Sequence, residues 1–210
     1  KSNSNDTGLA SVRTKVFETL PTAGLPEQLV NWGEFQTFMN TLIAARAIES
    51  IREVWWDIRP HPGFGTVELR MCDGVATMGE LLAIAAFMHC AVVWLSEEYE
   101  NGHLPPPFRH WILRENKWRA SRWGLEADLI RDNEGNLAKN AHLIRQMMED
   151  FIPLSERLNC QEELMSITDI LDQGPSYLRQ RKVHEQSGQL ESVVDSLIEE
   201  WKTGERVVPD

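Results

Sequence analysis

Apolar residues recur along this chain at two periods, a helical one over most of its length and a period of two in one short stretch. "NWGEFQTFMNTLIAARAIES" places Phe35, Phe38, Met39, Leu42 and Ile43 at helical spacing, with Asn31 and Glu34 as a capping-box pair at its start. "TMGELLAIAAFMHCAVVWLSEEYENG" repeats the device with Thr77 and Glu80 and offers Gly102 as a stop. It is apolar almost all round, which predicts a central buried helix. "HWILRENKWRASRW" reads as a helix through Arg122, broken near Gly124, with "RDNEGN" as a turn. Beyond it the spacing predicts helices over 141–158, 161–171, 176–186 and 190–203, with acidic residues on their outer faces. Residues 1–25, rich in Ser, Asn, Thr and Gly, read as loop.

The period of two belongs to "WWDIRPHPGFGTVELRMCD", two runs of β-forming residues around a Pro/Gly cluster, which predicts a hairpin. Alternation puts Val54, Trp56 and Ile58 on one face with Val67, Leu69 and Met71, expected to lie under the 81–95 helix. The opposite face collects Asp57, Arg59, Glu68 and Arg70. Exposed cross-strand ion pairs would explain this, each worth under about 1 kcal/mol. Two arginines, two carboxylates and no lysine also suit a different task. A guanidinium fork fits carboxylate or phosphate, and a carboxylate on a rigid strand suits Mg²⁺.

Charge and composition narrow the classes. A net charge of −11 over 210 residues argues against a general nucleic-acid binder and leaves small, metal-complexed or zwitterionic ligands. Cys72, Cys90 and Cys160 form no CxxC or Cys/His cluster, so a reducing, cytoplasmic setting is expected rather than a disulfide framework or zinc site. The longest apolar run, Leu81–Leu95, falls short of a membrane span and contains His89. The chain starts at Lys1, in "KSNSND", which reads as the middle of a longer protein.

Other constellations carry less. "PHPGFG" lacks the lysine and following helix of a phosphate loop and reads as a hairpin connection, with His61 exposed. His89 reads as a core histidine. Trp118 and Trp123, beside Arg114, Arg119 and Arg122, are expected to pack inward rather than stack on bases. Cys72 shares the polar face by parity, but nothing near it predicts a nucleophile.

"WWDIRPHPGFGTVELRMCD", "NDTGLASVR" (Asn5–Arg13) and "ENKWRASRWGLEADLI" (Glu115–Ile130) closely resemble, in order and spacing, segments of the carboxylate–amine ligases of the glutamate–cysteine ligase type 2 family. The resemblance implies an α+β fold of glutamine-synthetase type, a curved antiparallel sheet with helices on one face, followed by a helical C-terminal region. It implies an ATP- and Mg²⁺-dependent ligase that activates the γ-carboxylate of glutamate as an acyl phosphate, which cysteine or a similar amine then displaces. Carried over by position, Glu68 matches a metal ligand, Arg70 an arginine near the transferred phosphate, and Arg13 one associated with the substrate. Asp57 and Arg59 lie in the matching strand, and Arg119 lies in a segment that would line the site.

Two family features are not found: an N-terminal half carrying a G-x-E-x-E strand, and a later His-containing strand. About five residues that the family places between the positions of Ser4 and Asn5 are also missing. Residues 1–130 thus correspond to the C-terminal part of the catalytic sheet with its helices, and 131–210 to a helical region of the same domain. Alone, the chain is expected to be inactive, and to be completed by the N-terminal half or by a homo-oligomer. The alternative is a truncated, non-catalytic relative acting as a binding or assembly module.

Overall fold

A computed structural model describes residues 6–104 and 106–207; Asn5 and its junction with Ser4 lie outside them. The architecture is α+β, mostly helical with small sheets. In chain order the elements are α1 (Arg13–Phe17), β1 (Ala23–Gly24), α2 (Trp32–Ala44), β2 (Trp55–Trp56), β3 (Ile58–His61), β4 (Thr66–Leu69), α3 (Met78–Glu100) and α4 (His110–Trp123). β5 (Asp128–Ile130), β6 (Leu137–Lys139), α5 (Asn140–Arg157), α6 (Gln161–Met165), α7 (Ile167–Gln173), α8 (Ser176–Ser187) and α9 (Leu190–Thr203) follow.

The helix starts follow their caps. Asn31 accepts from the Glu34 amide and Thr77 from the Glu80 amide, each satisfying an N–H that the first turn leaves free. The span read as one helix over 161–171 divides at Ser166 into α6 and α7. The first 25 residues are not all loop: they hold α1 and β1. The "RDNEGN" turn closes a second hairpin, β5–β6, that periodicity did not announce in such short strands.

Among the described residues the sheets are three two-stranded ladders: β1–β2 parallel, β3–β4 antiparallel and β5–β6 antiparallel. Asp57 joins the first two. Its amide donates to Gly24 O at 2.7 Å, and its carbonyl accepts from the Arg70 amide at 2.7 Å, so strand 55–61 is flanked on both edges. In the β3–β4 register Arg59 faces Glu68 and Ile58 faces Leu69, the pairing that alternation requires for a single charged face.

The apolar face is buried only at its start, and within β3–β4 the charged face is the better covered one. Val54 and Trp56 pack with Phe35, Met39 and Ile48 beneath α2, not under α3. Burying each such side chain contributes roughly 1.5–3 kcal/mol. Ile58 and Val67 remain 40% and 52% exposed, while Arg59 and His61 are buried. Alternation fixes which residues share a face; coverage depends on distant segments. His61, expected in solvent, is stacked on Phe64 with centroids 4.3 Å apart.

α3 is the axis of the second core. Ala86 and Cys90 pack with Phe151, Leu154 and Leu164, and Ala83 with Met148 and Ile167. It is covered on one side only. Met78, Leu81, Leu82, Val92 and Leu95 are exposed, and His89 lies on that open side rather than in the core. At 23 residues α3 is long and apolar enough to cross a membrane by length and composition, although its other face is packed against α5, α6 and α7.

Candidate active site

Glu68 is the hub of the charged face. Its Oε2 accepts from Arg59 at 2.5 Å and from Arg70 at 3.2 Å. Burial alone would raise the Glu68 carboxyl, but the two guanidiniums outweigh it and hold it below the ordinary range. The two arginines differ in what they have left to give. One terminal nitrogen of Arg59 donates to the carbonyls of Ile51, Arg52 and Val54, closing the turn before β2. With 4% exposure it is a strut that orients Glu68. Arg70 is half-buried and lines a recess with Arg13, Asp57, Trp55 and Lys117.

Lys117, on α4, was not anticipated. Its Nζ lies 2.5 Å from Asp57 Oδ2 and 3.0 Å from Glu18 Oε1, and all three side chains are largely shielded. The neighbouring Arg119 points elsewhere. Two residues further along a helix lie roughly 200° around its axis. Arg119 accordingly bonds Glu115 at 2.7 Å and the Asp128 carbonyl at 2.8 Å, bracing α4 against β5. It does not join the other site residues, and Lys117 stands where a cation from this segment was expected.

The N-terminal segment delivers Arg13. Gly8 adopts φ +71°, and Arg122 donates to its carbonyl while packing where a Cβ would sit. Arg181 on α8 holds the same segment through Asp6 at 3.2 Å and the Leu9 carbonyl at 3.1 Å. Arg13 then lies over the Phe17 ring at 4.6 Å, and it has no carboxylate partner among the described residues. The Arg122 and Arg181 anchors were legible only as basic residues on helices.

Cavities open on either side of the recess. Glu18, Gly24 and Lys117 also line a cavity of about 720 Å³ with Lys15, Arg114, Trp111 and Trp118. Trp118 and Trp123 do not pack inward; they meet edge to face at 4.9 Å and are 42% and 43% exposed. Arg13 borders a second cavity of about 590 Å³ with Cys72, Asp73 and α8. Cys72 is exposed as a residue, but partial desolvation and the Asp73 carboxylate push its thiol up, against a smaller opposing effect of Arg13. That agrees with its exclusion as a nucleophile.

Among the described residues no three His, Cys, Asp or Glu side chains converge. Glu68 already gives one oxygen to two guanidiniums, and Asp57 is held by Lys117. Mg²⁺ takes several oxygen ligands in a regular octahedron. The residues present therefore do not fit that ion by themselves.

The model of glutamate-cysteine ligase family 2 matches residues 2–196. The chain belongs to glutamate-cysteine ligase family 2. A relative in Frankia alni, provisionally named glutamate–cysteine ligase 2-1, is 49% identical over 97% of this chain and 53% of its own length. Relatives named in the same way in Thermobifida fusca and Gloeobacter violaceus are each 44% identical, over 95% and 92% of this chain and 50% and 52% of theirs. The chain thus spans about half the length of these family 2 relatives.

Proposed function

We propose that this chain carries part of the active site of an ATP-dependent carboxylate–amine ligase. In the reaction, a glutamate γ-carboxylate oxygen attacks the terminal phosphorus of ATP, ADP leaves, and an acyl phosphate forms. An amine, cysteine or a similar amino acid, then attacks the acyl carbon, and phosphate leaves to give a γ-glutamyl amide. The observation that carries the reading is the Arg59–Glu68–Arg70 row opening onto Arg13 and Lys117, in a chain of this family. Arg70, Arg13 and Lys117 would stabilise charge on the transferred phosphoryl group from fixed positions. The 720 Å³ cavity, in which Lys15, Arg114 and Lys117 offset Glu18, Glu27 and Glu115 beside exposed tryptophans, has room for a nucleotide, whose base the tryptophans could stack on.

A Mg²⁺ ion serving ATP would need carboxylates from outside this chain in addition to Glu68. The β3–β4 ladder would then be one part of a curved antiparallel sheet of glutamine-synthetase type. A second reading, a non-catalytic assembly module, is favoured by the internal pairing of all four hairpin charges and by the open side of α3.

One experiment separates them. In a polypeptide of the relatives' full length carrying this sequence, ADP release from ATP and glutamate should accelerate when cysteine is added. Glu68→Gln should lower that rate by about 100-fold or more in a variant that keeps the parent's circular dichroism at the assay temperature. Release indifferent to every amino acid tried, or to Glu68→Gln, would sink the ligase reading.

A further inference from the structure

We propose that Cys90 and Cys160 form a reversible oxidation site, in which a low-molecular-weight disulfide converts the two thiols into a disulfide that clamps α3 to the turn between α5 and α6. Nothing in this site depends on the ligase reading.

Both cysteines lie in the second core, away from the charged row. Cys90 sits on the packed side of α3, one turn after Ala86, and meets Phe151, Leu154 and Leu164. Cys160 ends the turn that follows α5, where Asn159 adopts φ +55°, a left-handed conformation that asparagine tolerates. The Cys160 amide donates to the Ser155 carbonyl at 2.9 Å, and its carbonyl accepts from the Leu164 amide at 3.0 Å. The turn therefore presents this side chain at a fixed place beside α3. Two of the chain's three cysteines, 70 residues apart in sequence, are thus brought to an Sγ–Sγ distance of 4.0 Å. A disulfide needs about 2.05 Å, a difference within the swing of a side-chain rotation.

Access divides the roles. Cys90 has no exposed surface, and burial together with the adjacent Cys160 pushes its thiol up to about 11. Cys160 is half-buried and meets solutes first. Its thiolate attacks one sulfur of the incoming disulfide, whose S–S bond breaks, and the first small thiol leaves with the electron pair. Cys90 then gives up its proton and attacks Cys160 Sγ in the mixed disulfide, and the second small thiol leaves. The pair loses two electrons and two protons, and the reagent takes up both to become two thiols. The second step is intramolecular, so proximity offsets the low thiolate fraction of Cys90. Excess small thiol reverses both steps. The resulting link closes a loop spanning 70 residues, which restricts the unfolded chain and so favours the folded one.

The test is chemical first. The purified chain, folded and reduced, is exposed to L-cystine, quenched by alkylation and digested without reductant. A peptide linking Cys90 to Cys160 should appear in most molecules and vanish with dithiothreitol. In Cys90→Ala, Cys160 should instead keep one cysteinyl group, because nothing resolves the mixed disulfide. Oxidation should raise the melting temperature by about 5 °C or more, and Cys160→Ala should lose that rise. The mapping on the parent protein and the Cys160→Ala comparison stand even if Cys90→Ala does not fold. A Cys160 that stays a free thiol or a mixed disulfide in the parent, a link made through Cys72 instead, or a crosslink that forms only in urea overturns the site. A crosslinked protein that melts no higher than the reduced one overturns the clamp.

Discussion

Arg179→Met should cost about 3–5 kcal/mol of stability, the toll for stranding buried charge when one partner of a buried ion pair is removed. Arg179 of α8 is 4% exposed and sits between Glu80 at the start of α3 and Glu200 of α9, which are 3% and 2% exposed. It donates to Glu200 through Nε at 2.6 Å and a terminal nitrogen at 3.2 Å, and to the Gly174 carbonyl at 3.2 Å. Glu80 faces Arg179 at 2.9 Å and Arg206 at 3.3 Å, without an aligned hydrogen bond. Two guanidiniums thus balance two carboxylates. Methionine keeps much of the volume but leaves Glu200 with the Val207 amide, at 3.0 Å, as its remaining donor. Against a typical total of 5–15 kcal/mol that is a large fraction, and a drop of roughly 2–4 °C per kcal/mol in melting temperature is expected at this size. Urea unfolding followed by tryptophan fluorescence reads it directly. A cost below about 1 kcal/mol at neutral pH would refute the account of the network.

Two further outcomes follow from the charged row. Lys117→Met removes the cation that bridges Asp57 and Glu18 and should cost about 1.5–3 kcal/mol in urea unfolding, whereas a cost under roughly 0.5 kcal/mol would mean that the triad is solvated surface. Acid should destabilise the parent chain. The Gly8 amide and Arg181 hold Asp6 below its ordinary 3.8, against the cost of burial. Burial would raise Glu18 and Glu68, but Lys15 with Lys117, and Arg59 with Arg70, hold them below 4.5. Groups whose folded pKa is depressed contribute stability that is full above the unfolded value and lost as pH falls through the folded one. Melting temperature should be nearly flat above about pH 5.5 and fall steadily from pH 4.5 to 3; a flat profile down to pH 3 would show that these pairs contribute nothing.

The sequence revealed local order better than coverage. Asn31 and Thr77 mark their helices because a cap is satisfied by amides two or three residues away. Asp57, Arg59, Glu68 and Arg70 could be placed on one face because a strand alternates, and the Arg59–Glu68 register agrees. Nothing in that alternation says which face meets the rest of the protein. Ile58 and Val67 were expected to be buried and are exposed, and Arg59 is buried because three carbonyls of the preceding turn need its protons. The family-like segment around α4 drew attention to Arg119, yet helical phase turns Lys117, not Arg119, toward Asp57 and Glu18 in the hairpin and α1's flank. The α8 wall was read only as a helix with an acidic outer face, since its meaning depends on where residues 6–13 run. Arg181 fixes that course by gripping Asp6 and Leu9, while Arg179, two residues earlier and on the far side of the same helix, ties α8 to α3 and α9. One helix therefore sets both the rigidity of the second core and the position of Arg13. This is the physical reason to expect that loosening the Arg179 network disturbs the cavity beyond Arg13 before it disturbs the Arg59–Glu68–Arg70 row.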